Sequence, residues 1–223
     1  MKIYSLNNFK LLDDIALKKR SEILGLIKNN IKKSTIQDVL DVGTTSDTLN
    51  KSSNFLINNF LHNKICKSIS DQKIVSKFFS YTIQKSITNK LTRAEINKLS
   101  SDLVISNATI EHVGSEKNQY YMIKNIILLT KKIFVIATPN RYHPIEFHTF
   151  IPLIHMLPKN IHRLLLKLFG LSYFAKEKNL NLLSKQDLVD LLDRFKEQID
   201  YSIFYIKWLG IKSNLIVIGK RKK

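Results

Sequence analysis

Apolar residues near the start of the chain fall at Phe9, Leu12, Ile15, Ala16, Ile23, Leu26 and Ile27, with Lys and Asp between them. That spacing predicts one or two amphipathic helices over residues 9–33. The period then changes. Ile36-Gln37-Asp38-Val39-Leu40-Asp41-Val42-Gly43 is a β-branched run that stops at a glycine, which predicts a strand. Thr44-Thr45-Ser46-Asp47 are residue types that cap helix N-termini, and Phe55, Leu56, Ile57 and Phe60 predict the helix behind them. Short strands are predicted at Lys64–Ile69, running into Ser70-Asp71, and near Phe78–Ile83, whereas residues 86–100 are polar and are assigned no element. The clearest strand is Asp102–Asn107, followed by a helix over Glu116–Leu129. Lys132–Thr138 is apolar almost without a break before Pro139, the pattern of a central parallel strand covered on both faces. Ser184 and Asp187 are spaced as a capping box at the head of a helix reaching Phe195, and Tyr201–Trp208 and Asn214–Gly219 predict two last strands.

Strand and helix thus alternate five times before a hairpin-like pair, which implies an α/β sheet of mostly parallel strands. In such sheets a ligand binds beyond the carboxyl ends of the strands, near the topological switch point. The polar residues at those ends are therefore the candidates: Asp41, Gly43 and Thr44, then Asp71, then Ser106 and Asn107, then Thr138, Asn140 and Arg141.

Composition narrows the class. A chain of 223 residues with 44% hydrophobic and 24% charged positions, six Gly and four Pro is neither collagenous nor low-complexity, and one large domain is the default. Cys66 is the only cysteine, so neither an internal disulfide nor a cysteine zinc cluster exists, which suits a reducing cytosol. The net charge of +18 points to anionic partners, but it comes from 30 Lys and only 6 Arg, scattered apart from residues 220–223. The expectation is non-specific nucleic-acid adhesion at low salt. No apolar run precedes Asp13-Asp14 that would serve as a signal peptide, so export is not expected. The apolar stretch Phe147–Phe174 is broken by Pro152, Pro158, Lys159, His162, Arg163 and Lys167, so it does not span a bilayer as one helix.

Three segments resemble the class I S-adenosylmethionine-dependent methyltransferases, and within them the type 11 group. They are Val39-Leu40-Asp41-Val42-Gly43, the run from Asp102 through Glu111-His112-Val113, and the run from Thr138-Pro139-Asn140-Arg141-Tyr142-His143-Pro144-Ile145-Glu146-Phe147-His148-Thr149 to Pro158, with Asn179–Ser184 beyond it. The likeness covers roughly residues 36–220. It implies a Rossmann-like fold with a seven-stranded, mostly parallel sheet, helices on both faces and a helical cap. The chain then divides into an N-terminal helical segment, 1–35, and a methyltransferase domain, 36–223, with the cap inserted at 141–183. One departure stands out: Gly43 is followed by Thr44-Thr45-Ser46 and no second glycine, so the carboxylate of the cofactor would fall to amides and hydroxyls there.

The resemblance implies S-adenosylmethionine as cofactor, with Asp41, Gly43 and Thr44 around its methionine end, Asp71 on its ribose, and Asn107 and Ala108 beneath the methyl group. Each has a plainer reading: Asp41 as a turn cap, Asp71 as a solvated turn residue. His112, His143 and His148 are the catalytic candidates, His112 as a positioning group first. The H-x-x-E-x-H run over residues 143–148 matches no metal motif, and no metal is expected. Ile151–Phe174 reads as a helical cap, or as a surface on which Lys159, Arg163 and Lys167 meet lipid head groups. The expected activity is methyl transfer to an oxygen or nitrogen of a small, sugar-linked or lipid-linked acceptor, in the cytoplasm or peripheral to the inner face of the membrane. The alternative is an inactive methyltransferase-like scaffold whose Lys-rich surface binds RNA or an acidic partner.

Overall fold

The computed structural model describes residues 6–60 and 65–222, without the side chains of residues 6–12 and Lys33. Lys64, and the apolar side chains of Phe9 and Leu12, lie outside the described residues. One continuous helix, α1 (Leu6–Asn30), takes the N-terminal periodic segment. Seven strands follow: β1 (Asp38–Val42), β2 (Ile65–Ser70), β3 (Tyr81–Gln84), β4 (Ser101–Asn107), β5 (Thr130–Pro139), β6 (Ile199–Trp208) and β7 (Ile211–Arg221). Between them lie α2 (Phe55–Phe60), α3 (Arg93–Leu99), α4 (Glu116–Leu129), α5 (Lys159–Leu168) and α6 (Lys185–Asp193).

The strands form one sheet in the order β3-β2-β1-β4-β5-β7-β6, parallel except for β7, which runs antiparallel to both its neighbours. Strand residues alternate between faces, so each central strand feeds two cores. Leu40, Val42, Val104, Phe134 and Ile136 pack with Met122 and Ile126 of α4 and Leu188 and Leu192 of α6. Val39, Leu103, Ile105 and Val135 pack on the other face with Ile57 and Phe60 of α2 and with Ile23 and Ile27 of α1. The near-unbroken apolar character of β5 has this cause. At Gly219, opposite Phe134 in the β5–β7 register, an added Cβ would lie 2.2 Å from the Phe134 ring, so the large residue and the glycine fit only as a pair.

The strand order reverses between β1 and β4. Val42 lies opposite Ser106, and Asn107 opposite Ala137, so Asp41–Gly43, Asn107–Ala108 and Thr138–Pro139 share one rim.

Several local expectations are corrected. No helix opens at Thr44–Asp47; α2 starts only at Phe55, because Asp47 closes a turn instead, accepting from Leu49 N, Asn50 Nδ2 and Ser53 Oγ. No helix separates β2 from β3, where Val75 and Phe78 stand in solvent at 85% and 41% exposure, so the alternation is broken once. The polar stretch 86–100, assigned no element from its pattern, contains α3, opened by a Thr92–Glu95 capping box. The insertion before α6 carries a short 3-10 turn at Ile154–Met156 and α5, whose Leu164 and Leu168 are 57% and 73% exposed. Arg141 ties it down by donating from Nε to His155 O and from Nη2 to Leu157 O. Among the described residues no helix is long and apolar enough to cross a membrane.

Candidate active site

The loop after β1 is held from below. Asp41 is buried, and its Oδ2 accepts from Thr44 Oγ1 at 2.6 Å; that hydroxyl in turn accepts from Ser68 Oγ at 2.7 Å, and Ser70 Oγ donates to Thr44 O at 2.6 Å. Loss of solvent pushes the Asp41 carboxyl up to about 6, although the Thr44 hydroxyl and the Arg20 guanidinium pull the other way. Gly43 has φ +88°, and a Cβ there would lie 2.2 Å from Thr109 Oγ1, so this position admits only glycine although no second glycine follows. The loop amides expected to hold an anion are engaged: Thr45 N donates to Asn54 Oδ1 at 3.0 Å and Ser46 N to Gln72 Oε1 at 2.8 Å.

Two cavities open on the rim. The smaller, about 140 Å³, is walled by Asp41, Gly43, Thr45, Asn54 and Phe55, and the larger, about 290 Å³, by residues of α1 together with Pro139, Phe147, His148 and Phe150. Arg20, Asn107 and Ala108 border both, so the cavities meet at the end of β4. Ala108 stands there at φ +53°, Asn54 at +52° and Phe150 at +57°, conformations that non-glycine residues keep only where the surroundings hold them. Ala108 N is secured by Ala137 O at 2.8 Å.

A polar cluster closes the larger cavity. Glu146 is buried and accepts from His148 N, Thr149 N and Thr149 Oγ1, while its Oε1 lies 2.5 Å from His148 Nδ1. Burial alone would raise the Glu146 carboxyl, but the His148 ring and these donors hold it down to about 2. Burial disfavours the charged His148 ring, and Glu146 overcomes that and raises it. His112 donates from Nδ1 to Asn179 O at 2.7 Å, and its Nε2 lies 3.0 Å from His148 Nε2. Glu111, fully buried, accepts from Thr138 Oγ1 at 2.9 Å through Oε2, while its Oε1 has no hydrogen-bond partner and sits 4.0 Å from His112 Nε2.

The structure thus brings Asp41, Gly43, Asn107 and Ala108 to one junction, with Thr44 beneath the loop, His148 in the larger cavity's wall and His112 against it. Asp71 is exposed and borders neither cavity; its neighbour Gln72 is the residue that reaches the loop. His143 also borders neither: it is 2% exposed and packs in a triangle of rings with Phe147 and Trp208, each pair of centroids 5.4 Å apart. Sequence reasoning did not single out Arg20, Asn54 or Glu111 as site residues. Arg20 lies on a helix that pattern alone cannot dock, though as one of six arginines in a Lys-rich chain it carried a signal.

No family model matches the sequence, and no curated protein matches it significantly. Solved structures do match in shape. Magnesium protoporphyrin IX methyltransferase (ChlM) from Synechocystis PCC 6803 with bound S-adenosylhomocysteine aligns with a TM-score of 0.57 at 10% identity, covering 98% of this chain and 90% of that chain. The N-methyltransferase NodS from Bradyrhizobium japonicum WM9, in complex with S-adenosylhomocysteine, aligns with a TM-score of 0.53 at 8% identity, covering 92% and 87%. The fold is that of the class I S-adenosylmethionine-dependent methyltransferases, a Rossmann-like, mostly parallel seven-stranded sheet with helices on both faces.

Proposed function

We propose that the protein transfers a methyl group from S-adenosylmethionine to an oxygen or nitrogen of a small, sugar-linked or lipid-linked acceptor. The observation that carries this reading is the meeting of two cavities at Asn107–Ala108, on the rim where the strand order reverses. The donor set fits the cofactor: a buried carboxylate at Asp41 and a guanidinium at Arg20 in the smaller cavity suit the ammonium and carboxylate of its methionine end. Asp71, an exposed carboxylate just beyond β2, is assigned to the ribose hydroxyls. When bound, the cofactor supplies a methyl group on a sulfonium, ready for in-line displacement. The chain's own task is then alignment. Asn107 and Ala108 hold the junction, Phe147 and Phe150 exclude water from the larger cavity, and His148 with His112 meets the acceptor. His143, locked in the aromatic stack, shapes the loop that carries His148.

Exposed Leu164, Leu168 and Phe169 beside Arg163 and Lys167 support an acceptor presented at an anionic membrane surface. The test of the main reading is calorimetric titration of S-adenosylmethionine and S-adenosylhomocysteine at moderate salt, where non-specific attraction is screened. Micromolar binding is expected, and Asp41→Ala should abolish it in a folded domain. Folded protein that binds neither ligand would sink the reading and favour the scaffold, whose polyanion binding weakens steeply with salt.

A further inference from the structure

We propose that Glu111, His112 and His148 bind a divalent transition-metal cation in the wall of the larger cavity. One ligand atom from each residue lies within 4.8 Å of the other two. Ligand atoms bonded tetrahedrally to one cation at about 2.0–2.2 Å stand about 3.3–3.6 Å apart, and the separations here are 3.0 Å between the two imidazole nitrogens and 4.0 Å from His112 Nε2 to Glu111 Oε1, so the cluster needs little movement to close on one.

Three features support the assignment. Each imidazole has its Nδ1 spoken for by an oxygen: His112 by Asn179 O at 2.7 Å, and His148 by Glu146 Oε1. That outer bond fixes the ring so that Nε2 points inward, the arrangement that orients metal-bound histidines. The two Nε2 atoms then face one another at 3.0 Å, where two lone pairs repel unless a proton or a cation lies between them. The third feature separates these cases. A proton shared by the imidazoles would set a positive charge 4.0 Å from Glu111 Oε1 but would leave that fully buried oxygen without a hydrogen bond; a cation would bond all three atoms directly.

The donor set names the ion class. Two imidazoles and one carboxylate suit Mn, Fe, Co, Ni or Zn as divalent ions; Mg and Ca favour oxygen alone, and no thiolate is present to select a softer ion. The ligands come from two separated segments, the 3-10 turn at Ile110–His112 and the loop after β5, so no linear spacing reveals them. Of the H-x-x-E-x-H run only His148 is a ligand; Glu146 orients it, and His143 is elsewhere. Because His148 borders the cavity that reaches Asn107 and Ala108, the cation's open positions would hold an acceptor oxygen, a role that rests on the methyl-transfer reading although the binding itself does not.

The test uses untagged full-length protein, stripped with a chelator and titrated with Co²⁺ by visible absorption and with Zn²⁺ and Mn²⁺ by calorimetry. One equivalent per chain is expected at micromolar affinity or tighter for at least one of the three ions. His112→Asn, at a partly exposed position, and His148→Gln should each weaken it by at least about tenfold. His162→Leu, outside the cluster, should leave it unchanged. Folded protein that binds none of these ions saturably, or binding that both variants leave intact, would overturn the proposal. Titration of S-adenosylhomocysteine into the same samples separates the two readings: metal binding without it removes the methyl-transfer reading and keeps the site, and the reverse removes the site.

Discussion

Replacing Asp41 by Asn should make the protein more stable above neutral pH while it loses cofactor affinity. The carboxyl is buried beneath the first loop with the Thr44 hydroxyl as its hydrogen-bonding partner, and desolvation raises it from the ordinary 3.8 to about 6. A raised value means that the folded state holds the proton more tightly than the unfolded state. The resulting stabilisation is fully present below pH 3.8 and is lost as pH rises through about 6. The whole effect is about 3 kcal/mol, of which roughly half disappears between about pH 5 and 7.5. Asn at this position does not titrate, and its amide oxygen can still accept from Thr44. Urea unfolding of both proteins at several pH values cancels every other titrating group in the difference. Asp41→Asn should gain about 1–1.5 kcal/mol on wild type between those two pH values. Parallel pH profiles would refute the reasoning, because they would mean that Asp41 is ionised and well solvated in the folded state.

Gly43→Ala forces a side chain into φ +88° and onto Thr109 Oγ1, so it should cost about 2–3 kcal/mol and lower Tm by at least about 4 °C, read by calorimetry. Burial pushes His162 down to about 4 from 6.5, so its contribution is present above pH 6.5 and lost as pH falls through about 4. His162→Leu should therefore be less sensitive to acid over that window, and a difference in stability that does not change with pH would count against it. Leu164→Asp with Leu168→Asp changes exposed positions on α5 and should move stability by no more than about 0.5 kcal/mol while abolishing sedimentation with anionic vesicles. Unchanged sedimentation would remove the helix from any lipid contact.

Much of the fold was legible because burial writes its own period into a strand. Val39, Leu40 and Val42, and the runs Leu103–Ile105 and Ile133–Ala137, put apolar side chains on both faces, and the structure covers both. The capping box at Ser184 was readable for the same local reason, since a side chain reaching the third amide needs only a fixed spacing. The stretch at Thr44–Asp47 misled because the residue types that cap helices also close turns, and the alternative partners, Asn54 and Gln72, lie far along the chain. His143 carried the same chemical label as His148 in one short motif. Packing separated them, by putting one ring against Phe147 and Trp208 and the other in a cavity wall.

The sequence by itself determined the α/β class and the rim formed by the ends of β1, β4 and β5, because these follow from hydrophobic period and strand-end chemistry over short stretches of chain. Tertiary structure alone decided that Arg20 of α1 borders both cavities, and that Glu111, His112 and His148 converge with a buried oxygen left unpaired. Such contacts depend on how separate elements dock, and docking is set by the summed burial of two cores, which no local pattern records.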